Sequence, residues 1–187
     1  MGKLAEQIAA YQPWNEQEVR DKELILRGLA ENPKIFLRES LTAHMTASAW
    51  VLDKAHENVL MAYHNIYRSW AWLGGHADGE EDLLQVALRE VREESGLEKI
   101  RPLSEDIFSL EVLTVNGHVK HGAYVSSHLH YNLTYLIEAT GDEALRIKPD
   151  ENSGVSWYPP EKAVAMSTEP WMAENIYRKL NEKLRKI

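Results

Sequence analysis

The stretch SWAWLGGHADGEEDLLQVALREVREESGL, residues 69–97, sets a strand, a glycine turn and a helix in immediate succession. The aromatic run at 69–73 reads as a short strand. Gly74 and Gly75 follow it, where close backbone approach or positive φ is permitted. Residues 80–95 place Leu84, Ala87, Leu88 and Val91 on one apolar stripe at helical spacing. Gly96 then suits a left-handed C-cap. Strand-like runs lie on both sides. TAHMTASAWVLD (42–53) alternates and turns at DKAHEN, with VLMAYH (59–64) as its hairpin mate. Residues 107–115, 124–139 and 154–159 read as further strands, and 169–187 as an amphipathic closing helix. A helix between strands, then more strands and a terminal helix, implies an α/β chain with a mixed sheet covered by helices.

Ahead of this pattern, residues 2–11 and 15–31 read as two helices, the second ended by ENP at 31–33. They form a helical prefix expected to pack on the main domain. A length of 187 residues suits one domain with a sizeable core. The absence of cysteine excludes disulfides, thiolate metal sites and cysteine nucleophiles, and agrees with a cytoplasmic address. A net charge of -8 with no Lys/Arg block argues against binding long nucleic acid. No run approaches membrane-spanning length, and the first residues carry no secretory or myristoylation signal.

On the helix, Glu90, Glu93 and Glu94 stand at i, i+3 and i+4, off the apolar stripe. Like charges at this spacing repel by a few tenths of a kcal/mol per pair, roughly, unless a cation neutralises them. Arg89 is expected to point off their face, and Arg92 cannot cancel all three. Two readings stand: a solvated acidic face, or a cage of hard oxygen ligands for Mg²⁺ or Mn²⁺. The glycines favour the second, because a carbonyl exposed in such a loop can join the carboxylates. Glu80 and Glu81 suit the positive end of the helix dipole.

Gly75, five residues, Glu81, seven residues, then Arg89-Glu90-Val91-Arg92-Glu93-Glu94-Ser95-Gly96-Leu97 matches all nine constrained positions of the Nudix box. The chain resembles a Nudix hydrolase over about residues 40–165, in a bacterial branch with a helical prefix. The resemblance implies an α/β/α sandwich, with an N-terminal extension over residues 1–38 and the Nudix domain over 39–187. It implies Mg²⁺- or Mn²⁺-dependent hydrolysis of a diphosphate in a nucleoside diphosphate linked to another moiety. Glu90, Glu93 and Glu94 would hold the metal with the carbonyl of Gly74. Glu81 would brace the helix or join the metal shell, and Arg89 would orient Glu90. A small diphosphate would be the partner, with room for a homodimer. A non-nucleotide diphosphate is the alternative substrate. Isopentenyl diphosphate isomerase shares the fold but relies on a cysteine, and binding modules of the fold tend to lose box carboxylates.

The substrate side rests on the strand at 124–139. Ser126, His128, His130, Asn132 and Thr134 share a polar face, expected to line the cleft; Leu129, Leu133, Tyr135 and Ile137 share the apolar one, with Tyr131 between. His128 and His130 also suit zinc but lack a clear third ligand, and residue by residue a wet sheet face is the preferred reading. His76, after the glycines, could touch phosphate. Tyr131, Trp72 and Trp157 could stack on a base or fill the core. A late-loop carboxylate is expected as well, from Glu143, Asp150, Glu151 or Glu161. Glu151 is favoured, because Pro149 and the Asn152-Ser153-Gly154 turn flank it with rigid supports.

Overall fold

Two long strands form the spine of the fold: β1 (Ala43–Leu52) and β9 (His128–Ala139) run parallel in unbroken register from Ala43↔Leu129 to Leu52↔Glu138. The structure is a computed structural model that describes residues 2–120 and 122–187. In chain order the other elements are α1 (Lys3–Ala10), α2 (Glu16–Glu31), β2 (Val59–His64), β3 (Ser69–Ala71), β4 (Leu73–His76) and α3 (Leu83–Ser95). Then come β5 (Ile100–Pro102), β6 (Ser109–Val115), β7 (His118–Lys120), β8 (Ala123–Val125), β10 (Asn152–Tyr158) and α4 (Pro160–Met166). The closing helix is α5 (Pro170–Met172), a π-helical turn (Ala173–Tyr177) and α6 (Arg178–Leu184).

The main sheet runs β10-β2-β1-β9-β5, with β3 on β2, β4 on β1 and β6 on β9. Among the described strands only β1 and β9 are parallel, so the sheet is mixed and helices flank it, as the alternating pattern implies. Every residue of β1 is buried, because both of its faces are covered. Met45, Ala47, Ala49 and Val51 enter one core with Val86, Ala87 and Val91 of α3. Trp50 and Leu52, on the other face, enter a second core with Ile176, Tyr177 and Leu180. There the Trp50 and Tyr177 rings stack with centroids 5.6 Å apart.

Several elements differ from their sequence expectations. The hairpin of β1 and β2 closes only at Leu52↔Val59, since β4 occupies the β1 edge further on. The expected strand at 69–73 therefore breaks at Trp72: its first part pairs with β2 and its second with β1. The 124–139 run likewise divides, because β8 pairs with β7 in a separate two-stranded sheet while β9 starts at His128. Helix α3 starts at Leu83, with Asp82 as the side-chain cap, so Glu80 and Glu81 lie before the first turn rather than in it.

The N-terminal helices close an edge. Among the described residues strand β6 pairs only with β9, and an unpaired edge invites association. Asp21 of α2 accepts the Val112 N–H of that edge at 3.0 Å. Leu4 and Ile8 of α1 and Ile25 of α2 join the core on the α3 side. Behind β6 lies a buried charged network. Lys179 contacts Glu18 at 3.1 Å and Glu111 at 3.0 Å, and Lys183 contacts Glu18 at 3.0 Å. Burial opposes ionisation of Glu18, yet Lys179, Lys183 and its hydrogen bonds outweigh it and bring the carboxyl down to about 2.

Candidate active site

The β4–α3 connection brings the carboxylates to the sheet. Gly75 permits this: a Cβ there would lie 2.5 Å from Glu90 Cδ. Gly74 is equally constrained, since its Cβ would meet the Ala47 carbonyl oxygen and Ser48 Oγ at 2.5 Å. The Gly74 N–H donates to Glu94 Oε2 at 3.2 Å. At the far end Gly96 caps α3 with φ 74°, the left-handed conformation glycine adopts without strain.

Glu90 and Glu94 are buried, and with Glu151 they offer carboxylate oxygens that all lie within 4.8 Å of one another. Glu151 reaches them from the loop before β10. Asn152 pins that loop: its amide donates to the Glu94 backbone carbonyl at 3.0 Å, and its oxygen accepts from the Lys148 N–H at 3.2 Å. Nothing in the sequence marks Asn152 for this task except its place beside Glu151. Glu93 stands at the rim, half-exposed. Lys148 Nζ contacts Glu93 at 2.8 Å and Glu151 at 3.1 Å.

Arg89 does not point away from the carboxylates. Its Nη2 donates to Glu90 Oε1 at 2.9 Å and to the His76 carbonyl at 3.0 Å. The fold-back occurs because β4 presents that carbonyl beside the first residue of the acidic turn. Glu81 is exposed in the bend before α3 and is not among the converging carboxylates. Of the other late-loop candidates, Glu143 accepts the Glu98 and Lys99 N–H groups, Glu161 pairs with Arg185, and Asp150 is exposed.

Arg89 and Lys148 contact the four carboxylates Glu90, Glu93, Glu94 and Glu151, and a third cation nearby, Arg38, is already paired with Asp78. The deficit shows in protonation. Burial first, then Glu90 and Glu151, push the Glu94 carboxyl well above the ordinary range. Burial also raises Glu90, against the pull of Arg89. A site that holds buried acids short of positive charge fits a hard divalent cation in number and chemistry of donors.

The polar face of β9 splits into two parts. Its middle lines no cleft. Asn132 is buried, accepting from Thr46 Oγ1 (3.0 Å) and Ser48 Oγ (2.9 Å) and donating to Glu111 (3.1 Å) and Thr134 (3.1 Å). This sets Asn132 in the internal network rather than against a ligand. Tyr131 belongs to the apolar face, with its ring against Gly28 of α2. The end of the face is different: His128 and His130 meet His44 and His76, with ring centroids of His44 5.0 Å from both His76 and His130. Burial, then the neighbouring histidines, bring His130 down to about 2, so it is neutral. His44 escaped the sequence reading because nothing beside it in the sequence marks it; its register partner across the sheet is His130.

Fold and site together define a hydrolase scaffold with a carboxylate-lined helix at its centre. The chain belongs to the NUDIX domain family, whose model matches residues 42–181, and it is a hydrolase acting on diphosphates. A search of curated protein sequences found no match. Among solved structures, an Ap4A hydrolase from C. elegans is 21% identical with a TM-score of 0.57, covering 76% of this chain and 98% of that one. A MutT protein from Methanosarcina mazei Go1 is 16% identical with a TM-score of 0.57, covering 78% and 98%. The Nudix hydrolase RenU from M. smegmatis is 16% identical with a TM-score of 0.54, covering 77% and 87%. At these identities the likeness is one of fold. Among the described residues no helix is long and apolar enough to cross a membrane.

Proposed function

We propose that the protein hydrolyses the diphosphate linkage of a nucleoside diphosphate joined to another moiety, with Mg²⁺ or Mn²⁺ held by Glu90, Glu94 and Glu151. The observation that carries this reading is the convergence of these three carboxylates without enough cations of the chain to match them. A divalent cation there would neutralise diphosphate oxygens and make water a better nucleophile. The chain's own residues do the rest. Arg89 fixes Glu90 in one orientation by a charged hydrogen bond. Gly74 does the same for Glu94 through its N–H, and is assigned a further ligand role through its carbonyl. Asn152 holds the loop so that Glu151 meets α3. Glu151, the most exposed of the three, takes the proton of the attacking water. Lys148 positions Glu151 and Glu93 until a cation competes for them. Residues 1–38 are read as an extension that braces the 39–187 domain, because α2 seals β6.

A phosphate-release screen over nucleoside and non-nucleotide diphosphates, in Mg²⁺ and in Mn²⁺, tests the proposal. Turnover of a nucleotide compound that chelator abolishes supports it. Preference for a non-nucleotide diphosphate would replace the substrate, and turnover untouched by chelator would remove the cation.

A further inference from the structure

A second group of ligands lies outside the carboxylate site, and it is built from nitrogen. His44 on β1, His76 on β4 and His130 on β9 offer ring nitrogens that all lie within 4.8 Å of one another. Their ring centroids stand 5.0, 5.0 and 4.8 Å apart. Imidazoles bound to one ion at about 2.0–2.1 Å place their ring centres roughly 5 Å apart. The spacing comes from sheet register. His44 and His130 are direct partners, and His76 pairs with Thr46, two residues along the same face from His44. Three adjacent strands therefore hold the rings on a rigid base.

Proton placement supports a ligand role. His44 Nδ1 lies 3.1 Å from the Ser40 carbonyl, and a carbonyl can only accept, so Nδ1 carries the hydrogen. Its Nε2 is then a bare lone pair. His44 is buried, and its Nε2 has no hydrogen-bond partner among the described residues. A buried polar atom of this kind calls for an explanation. The same bookkeeping applies to His128, whose Nδ1 lies 2.8 Å from the Ser126 carbonyl. Its Nε2 accepts from His130 Nε2 at 3.2 Å, which leaves the lone pair of His130 on Nδ1. Backbone carbonyls thus fix the tautomers, as they do for histidines that ligate metals. The cation facing this end of the sheet, Arg38, is matched by Asp78 through contacts of 2.6 and 2.6 Å.

We propose that His44, His76 and His130 form a transition-metal site of the Zn²⁺ class, with His128 positioning His130. Hard Mg²⁺ prefers oxygen, whereas neutral imidazole suits zinc and its neighbours, so the two sites select different ions. Three nitrogen ligands leave a fourth position for water or an anion. The proposal does not depend on the substrate reading above.

The test is titration of chelator-stripped full-length protein with Zn²⁺, and with Co²⁺ as a spectroscopic probe, in excess Mg²⁺. One equivalent should bind, with visible Co²⁺ bands of a low-coordinate nitrogen site. His130→Asn and His76→Gln should each weaken binding by at least about a hundredfold, and His128→Asn by about ten- to a hundredfold. Glu94→Gln should leave Zn²⁺ binding in place. Having two independent ligand variants keeps the test valid should either fail to fold. Absence of Zn²⁺ binding by the native chain would overturn the proposal. So would equal binding by both ligand variants, or loss of binding in Glu94→Gln alone.

Discussion

Two groups of acids in this molecule, each built around buried carboxylates, are treated in opposite ways. Behind β6, Glu18 and Glu111 pair directly with Lys179 and Lys183, and the Glu18 carboxyl is held down to about 2. At α3, four acids are contacted by Arg89 and Lys148 while Arg38 nearby is engaged by Asp78, and the Glu94 carboxyl is pushed well above its ordinary range. The first group is complete within the chain and ties α2 to β6 and α6. The second is incomplete, and its balance has to come from solution. Burial alone therefore does not mark a functional acid; burial without matching charge does.

The largest effect expected of any single change is on catalysis. Glu94→Gln should lower turnover roughly a thousandfold, the scale of removing a preorganised charged group, while leaving the fold intact. Near-native turnover with Mg²⁺ present would place the chemistry elsewhere. Next comes the complete group. Glu18→Gln leaves Lys179 and Lys183 facing a neutral amide and should destabilise the protein by about 3–5 kcal/mol in chemical denaturation. A loss within experimental error would mean that the two groups do not differ in kind.

Much of this contrast was legible in the sequence, and some of it was not. The glycine turn, the span of acids on α3 and the Gly96 cap are local, so spacing alone exposes them. Glu151 was reachable because Pro149 and the Asn152 turn flank it. The charge balance was not legible, since Lys179 and Lys148 reach their acids across long sequence separations. Nor was the fate of Asn132: alternation gives its face, while only the closing helix, whose Lys179 meets Asn132's partner Glu111, shows that the face is sealed there. The histidine group was hidden for the same reason. His128 and His130 are neighbours on one strand, but His44 and His76 arrive only through the register of β1 with β9 and β4.

A smaller effect is expected at Arg89. Lysine keeps the charge but cannot reach both Glu90 and the His76 carbonyl with the same planar group. Arg89→Lys should lower kcat by roughly ten- to a hundredfold with little change in KM, as loss of an orienting contact does. A raised KM with native kcat would show instead that Arg89 binds substrate.

The finest distinction is the sign of pH dependence in metal-free protein. Glu18 has a lowered folded-state pKa, so its stabilisation is present above the ordinary value of 4.5 and is lost as pH falls toward about 2. Glu94 has a raised one, so its contribution is intact below 4.5 and is lost as pH rises through the folded-state value. Denaturation series should then show the cost of Glu18→Gln shrinking on acidification. Glu94→Gln should become more stable than the native chain as pH rises. Parallel trends for the two variants would erase the contrast.

The most direct measurement is calorimetric titration of Mn²⁺ into chelator-stripped native protein and Glu94→Gln, in the presence of saturating Zn²⁺ and paired with thermal melts. The native chain should bind Mn²⁺ saturably and gain about 2.7 kcal/mol of stability at a hundred times Kd. Glu94→Gln should bind far more weakly and gain little. A native melting temperature that stays flat across the titration, or equal binding by the variant, would contradict the claim that these carboxylates await a cation from solution.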